Sequence, residues 1–297
     1  MYHAPISNRN RKMTLGLPLE NYRGLEIGAL NNPIIPAGQG KMDYVDYTDC
    51  TGLKEQHRAL PERVAGIVDV DYVWTGSGSL ADVVGSRDVY DAIIASHVIE
   101  HVPNTLGWFR GVMDVLKPGG YFNLAIPDCR YTFDINCPVS TIGQMIEADM
   151  CNYRYPSIRQ MFDHCVAIAK IEPGEIWRTP IDKSKVEPYN GEYALWLAES
   201  QAKSIFENGT YVDSHCWIYT PDSFLRLIRQ ASLLGRFEYE LVNFHNTGQG
   251  EFEFFVSFMK PTEIIDAHDF KMRQCYAIDV RLNQLAEMRR LAKLAAE

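Results

Sequence analysis

Several polar side chains stand where they could do chemistry. His215 occurs in "DSHCWIYTP", two residues before Trp217 and just ahead of an amphipathic segment. Neutral imidazole can take a proton near pH 7, so a histidine beside an aromatic ring suits a general base. The competing reading is a histidine that only orders its loop. Ser96, His97, Glu100 and His101 fall in "SHVIEH", directly after an apolar run. His97 reads as site-lining, His101 equally as a structural histidine, and Glu100 as a capping or paired acid. Asp128 and Arg130 follow a second apolar run. A carboxylate there can orient a hydroxyl, and a guanidinium can bind an anionic sugar or phosphate. Tyr131 and Phe133 beside them could stack on a ligand or fill core. His164 and His245 read as structural. Asp213, His215 and another carboxylate could in principle hold a metal, but no ligand-spacing motif is present and no metal is expected.

These residues need elements to place them. "GLEIGAL" (24–30), "MDYVDYTD" (42–49), part of "PERVAGIVDVDYVW" (61–74), "YDAIIAS" (90–96) and "YFNLAIPD" (121–128) read as five buried strands. In "NTLGWFRGVMDVLKPGG" (104–120), Leu106, Phe109, Met113 and Leu116 fall on one helical face, and Pro118, Gly119 and Gly120 stop the helix. Strands alternating with helices argue for a doubly wound parallel sheet. Residues 1 to about 20 could be an arm or a first helix lying over a site. Residues 135–214, rich in Met, Tyr, Cys and charge, read as a mostly helical insertion. A helix at 220–235 with Pro221 in its first turn, a hairpin around "NTGQG" at 237–260, and a helix at 263–296 striped by Leu282, Leu285, Met288 and Leu291 complete the chain.

The bulk numbers exclude some functions. Of 297 residues, 29 are Lys or Arg and 38 are Asp or Glu, a net charge of −9 that disfavours nucleic acid as the main partner. Seven cysteines with no CxxC spacing suggest reduced thiols, and no apolar run is long enough to span a membrane. A cytoplasmic protein is expected.

Four patterns in this order, "LEIGA", Asp46 ending the second strand, "YDAIIASHVIEHV" and "VLKPGGYFNLAIPD", resemble the class I S-adenosylmethionine-dependent methyltransferases over residues 22–134. The hairpin fits that family's last two strands. "IPDCRYTFD" and "HCWIYTPDSFLRLI" resemble a narrower, type 11-like bacterial group associated with surface-polysaccharide biosynthesis. The resemblance implies a Rossmann-like seven-stranded α/β fold. Its core would comprise 1–134 and 215–262, with an acceptor lid at 135–214 and a C-terminal helix at 263–297. It implies S-adenosyl-L-methionine as cofactor and O-methylation of a sugar, glycan or sugar-linked acceptor. Methylation of a small metabolite, or a silent cofactor-binding scaffold of a glycan-assembly complex, are the alternatives. A homodimer could form through the C-terminal helix.

Residue by residue, the resemblance makes Glu26 an acid near the cofactor's ammonium and Asp46, or its rival Asp49, the acceptor for the ribose hydroxyls. Asp71, or Asp69, would take the adenine amino group, and Ser96 and His97 would line the site. Gly28 and Ala29 form the turn after strand one. The usual glycine-rich turn is replaced by "GALNNP", where Asn31 and Asn32 tolerate left-handed angles. Asn32 could touch the methionine moiety, and a following helix N-terminus could face its carboxylate. Catalysis falls to His215 as first candidate base, with His97 and Asp128 behind it, and acceptor binding to Arg130, Tyr131 and Trp217.

Overall fold

The five apolar runs read as strands and the terminal hairpin all enter one seven-stranded sheet. Its strands are β1 Arg23–Ile27, β2 Lys41–Asp46, β3 Tyr72–Val73, β4 Tyr90–Ser96, β5 Leu116–Pro127, β6 Glu240–His245 and β7 Glu253–Met259. They lie in the order β3-β2-β1-β4-β5-β7-β6. The first five run parallel, and β7 is antiparallel to both its neighbours. This computed structural model describes residues 7–17, 21–36, 40–178 and 181–294.

The two-residue period of the strands divides the sheet into two faces. Leu25, Ile27, Ile93, Phe122, Leu124, Phe254 and Phe258 point into the larger core. Helices α5 Thr105–Val115 and α10 Pro221–Leu233 pack there, α10 starting at a capping box made by Thr220 and Ser223. Ala92, Ile94, Ala125 and Phe255 point the other way, against Met13 of the short helix α1 Asn8–Thr14 and against Ile34 and Ile35. The N-terminal segment is therefore a helix laid on the sheet; residues 1–6 and 18–20 of it lie outside the described residues. Helix α11 Ala267–Leu294 buries Ile278, Leu282 and Leu285, while Met288 and Leu291 at the end of its stripe are exposed.

The segment between β5 and α10 is helical, with α6 Ile142–Met150, α7 Ile158–Ala167, α8 Pro173–Arg178 and α9 Ala194–Asn208. Met145 and Ala148 of α6 join the main core, whereas α7 and α9 build their own cluster from Met161, Cys165, Ala198, Ala202 and Ile205. All seven cysteines are free. Among the described residues no helix is long and apolar enough to cross a membrane.

Three local expectations change. Residues Pro61–Gly66 form a helix, because proline suits a first helical turn, and the third strand shrinks to two residues. Helix α5 stops at Val115, ahead of the expected stop, because Pro118 disfavours helical angles at Lys117. Among the described residues no helix follows β1, so the expected helix N-terminus after this turn is not formed there. The β1–β2 loop is anchored instead by Glu26, 2% exposed, whose carboxylate accepts the Ile34 N–H at 2.9 and 3.0 Å.

Burial pushes the Glu26 carboxyl up to about 7, against the opposing pull of the Ile34 and Ile35 N–H groups and Arg9. A carboxyl raised in the folded state favours folding at low pH, and that contribution is lost as pH rises towards about 7. Glu26→Gln keeps an acceptor for Ile34 and does not titrate. Its melting temperature relative to wild type should therefore climb between about pH 5 and pH 8, whatever its absolute stability. Parallel thermal-melt profiles across that range check this, and a constant difference would refute it.

Candidate active site

The C-terminal ends of β1, β2 and β4 open on a cavity of about 280 Å³, at the sheet edge where open α/β folds bind ligands. Gly28 forms one wall. Its φ is 70°, and a Cβ there would sit 2.6 Å from Val98 Cγ2, so both conformation and space require glycine. The left-handed non-glycine residue of this turn is Leu30, φ 47°, which also lines the cavity. Asn31 and Asn32 are exposed, and Asn32 only closes a turn onto the Ala29 carbonyl. The expectation that the asparagines replace missing glycines is thus corrected: the short turn needs its left-handed angles at Gly28 and Leu30.

Asp46 ends β2 and faces the cavity. It is 9% exposed and accepts the Tyr47 N–H at 2.8 Å. Burial raises its carboxyl to about 6, with the Tyr47 N–H opposing and Asp213 adding to the rise. Asp49 is spent as the N-cap of α2 Cys50–Gln56, accepting the Gly52 N–H. Tyr47 stacks on Tyr211, ring centroids 4.6 Å apart, which closes the cavity with a residue from the end of the insertion.

His97, Val98, His101 and Val102 supply the wall after β4. His97 holds φ 54°, a left-handed angle uncommon outside glycine but one that histidine adopts more readily than most side chains. Its N–H donates to Ala125, and its Nε2 lies 2.9 Å from Glu253. Glu253 is also gripped by Arg9 of α1 at 2.7 and 2.9 Å. Burial alone would raise the Glu253 carboxyl, but His97 and Arg9 outweigh it and hold it at about 2. Ser96 accepts from Arg9 at 2.6 Å and does not line the cavity.

Beside this wall lies a polar cluster drawn from three distant segments. His101 Nδ1 is 2.8 Å from Asp213, which also accepts from Tyr211. His215 Nδ1 is 2.7 Å from the buried Asp134, and the His101 and His215 rings meet edge to face at 4.7 Å. Burial lowers the His101 imidazole, but Asp213, Glu100 and Asp134 more than reverse this and raise it to about 9. His164 accepts the His215 N–H through Nδ1; burial and its imidazole neighbours hold it down at about 4. The phenyl ring of Phe133 lies 4.8 Å from His215.

Other expected site residues are used elsewhere. Asp69 and Asp71 precede β3 instead of following it, and Asp71 accepts the Tyr44 N–H. Trp74, Thr75 and Gly76 occupy the cavity edge there. Asp128 is fully buried, shared between Arg130 and Thr247, so it has no free face for a hydroxyl. Arg130 is committed to that pair, and Tyr131 stacks on Trp177 at 4.2 Å. Trp217 is 1% exposed and donates its indole N–H to Val102, which removes it from acceptor binding. Glu26 and Ala29 do not line the cavity. Sequence reasoning missed Asp134, Tyr47, Tyr211, Arg9 and Glu253. No local signal marks them, since each acts through a partner far along the chain.

Residues 60–233 match a protein family described as Methyltransferase domain. No curated protein matches the chain. Among solved structures it is similar to the trans-methyltransferase CalH in complex with SAH, at 14% identity and TM-score 0.40, over 85% of this chain and 54% of that one. The chain thus spans about half the length of CalH. It is also similar to a possible histamine N-methyltransferase from Thermotoga maritima, at 12% identity and TM-score 0.39, over 86% and 90% of the two chains. A third is an S-adenosylmethionine dependent methyltransferase from Mesorhizobium loti, at 14% identity and TM-score 0.43, over 84% and 95%. These scores are low, and the family rests on the sequence match.

Gly28→Ala should destabilise the protein by at least about 1–2 kcal/mol, from the left-handed backbone alone. The clash with Val98 adds to this. Urea denaturation of the two proteins measures it, and an unchanged midpoint would show that the turn can relax.

Proposed function

The chain belongs to the methyltransferase-domain family, with S-adenosylmethionine as cofactor, and from that premise we propose that it methylates a hydroxyl oxygen of a sugar, glycan or sugar-linked acceptor. The observation that carries this is the pairing of two features at one cavity. Asp46 presents a buried carboxylate at the end of β2, and His101, which lines the same cavity beside Asp213, meets edge to face the ring of His215, which stands behind that lining.

The residues present fit the cofactor. Asp46 has acceptor capacity beyond its one bond to Tyr47, as a ribose diol requires. Gly28 allows close backbone approach, and His97 and Leu30 bound the same space. The cofactor supplies a methyl group activated on a sulfonium, and the protein supplies alignment. For in-line displacement the acceptor oxygen must lie about 3–3.5 Å from the methyl carbon. A sugar hydroxyl is too weak an acid to react unaided at neutral pH. The imidazole wall, with His215 aimed by Asp134, has to take up or stabilise its charge. Phe133 beside His215 offers a flat apolar face to a sugar ring. The segment between β5 and α10 acts in this reading as the acceptor lid, because it brings His164 on α7, and Asp134 and Asp213 on the stretches flanking its helices, to the site.

Asp46→Ala should weaken binding of S-adenosylhomocysteine by about 1–3 kcal/mol, the cost of leaving buried hydroxyls unpaired. Because Asp46 is held at about 6 in the free protein, wild-type affinity should fall as pH drops below that value. The fall should vanish in the variant. Calorimetry at several pH values decides both, and wild-type affinity in folded Asp46→Ala would refute the placement.

His215→Ala should lower turnover by about 10²–10⁴-fold, the range for losing the group that manages such a proton. Cofactor affinity should stay nearly unchanged. Steady-state assays with sugar acceptors, paired with binding of S-adenosylhomocysteine, check this. Unimpaired turnover would remove the cluster from the chemistry.

A further inference from the structure

Among the described residues, Glu100 is a fully buried acid, and neither oxygen of its carboxylate has a hydrogen-bond partner. Two imidazole nitrogens lie within 4 Å of Oε1: His97 Nδ1 at 3.6 Å and His101 Nε2 at 3.8 Å. A buried carboxylate without partners is costly unless something else compensates it. The ring of His215 is held by a hydrogen bond between Nδ1 and Asp134 at 2.7 Å, and His101 Nδ1 lies 2.8 Å from Asp213 in a contact that is not aligned as a hydrogen bond. A carboxylate on one ring nitrogen fixes an imidazole so that its other nitrogen can ligate, the usual outer-shell support of metal-bound histidine. One ligand atom each from Glu100, His101 and His215 lies within 4.8 Å of the others.

We propose that Glu100, His101 and His215 bind a divalent first-row transition cation at the edge of the cavity, where it holds the acceptor's hydroxyl oxygen. Two imidazole nitrogens and one carboxylate suit zinc, cobalt or iron(II), whereas magnesium and calcium prefer all-oxygen sets. Three protein ligands leave a position open for a substrate oxygen. Bonds of about 2.0–2.2 Å require the three side chains to draw together from their present spacing. The buried, unpartnered Glu100 oxygens are free to make that movement. Sequence spacing does not reveal this site, because His215 lies far along the chain from Glu100 and His101.

The inference rests on the proposed hydroxyl acceptor and gives the imidazoles the work of ligands instead of a free base. A cation-bound hydroxyl is more acidic, so its proton leaves to water. The oxygen then bonds to the methyl carbon as the carbon–sulfur bond breaks, and the electron pair stays on sulfur as the neutral thioether.

The test uses the full-length protein, cleared of metal with a chelator and titrated with cobalt(II) by calorimetry and visible absorption. One cobalt ion per chain with a ligand-field band is expected, and magnesium should give neither heat nor displacement. Glu100→Gln, neutral and of the same size, should weaken cobalt binding at least about 100-fold, and Asp134→Asn about 10–100-fold through the loss of outer-shell support. If Glu100→Gln does not fold, His215→Ala gives the same reading. Asp46→Asn should bind cobalt like wild type. Failure of wild type to bind one ion per chain, or undiminished binding in folded Glu100→Gln and His215→Ala, overturns the site. Cobalt binding that depends on these residues, in a protein that transfers no methyl group to any hydroxyl, keeps the site and overturns the proposed acceptor. Transfer that neither falls on chelation nor recovers with cobalt or zinc overturns the cation's role in activation.

Discussion

The carbonyl oxygen of Glu100 accepts two backbone N–H groups, from Cys216 at 2.6 Å and Trp217 at 3.1 Å, and the site depends on that staple. The Trp217 indole N–H reinforces it at the Val102 carbonyl, 2.6 Å away. Together these bonds dock the segment at 215–217 onto the chain leaving β4. They are buried, and each bond lost there would leave a desolvated polar group. His215 stands next to His101 because its neighbour, Cys216, is tied to Glu100. The indole ring is a structural plug, and its burial is what sets the imidazole two residues before it.

Around that junction the electrostatics are concentrated. Three carboxylates, Glu100, Asp134 and Asp213, face three imidazoles, His101, His164 and His215; Glu100 and Asp134 are buried, and Asp213 stands at the exposed rim. Low dielectric strengthens each pairing and penalises each omission. The groups are pushed far apart as a result: Asp213 down to about 2 by the nearby His101 and the Tyr211 hydroxyl, His164 down to about 4 by burial and its neighbours. Neither oxygen of the Glu100 carboxylate has a directional partner. Perturbed groups gathered beside a cavity are a mark of functional sites.

A second tie joins the two faces of the sheet. Arg9 on α1 reaches Glu253 of β7 and Ser96 of β4, and Glu253 holds His97 in its left-handed conformation. The short helix that covers the smaller core thereby sets a side chain on the cavity wall. The same face is completed by the β1–β2 loop, where Glu26 serves as an internal cap for Ile34 and Ile35 in place of a crossover helix. Glu26 acts on the loop's backbone and reaches the cavity only through the turn it steadies.

The sequence by itself determined the strands and their alternation with helices, the terminal hairpin, the capped helix at Thr220 and the need for glycine at position 28. These follow from period, turn chemistry and capping, which act over a few residues. It also placed Asp46 at a strand end, since a carboxylate closing an apolar run emerges at the sheet's edge. Only the tertiary structure decided which polar residues stay free to act. Asp128 looked as available as Asp46 until Arg130 and Thr247 consumed it. His215 acquired its orienting partner, Asp134, across 81 residues of chain. A side chain's local pattern states its chemistry, but its availability depends on which distant group reaches it first, and that is settled by packing.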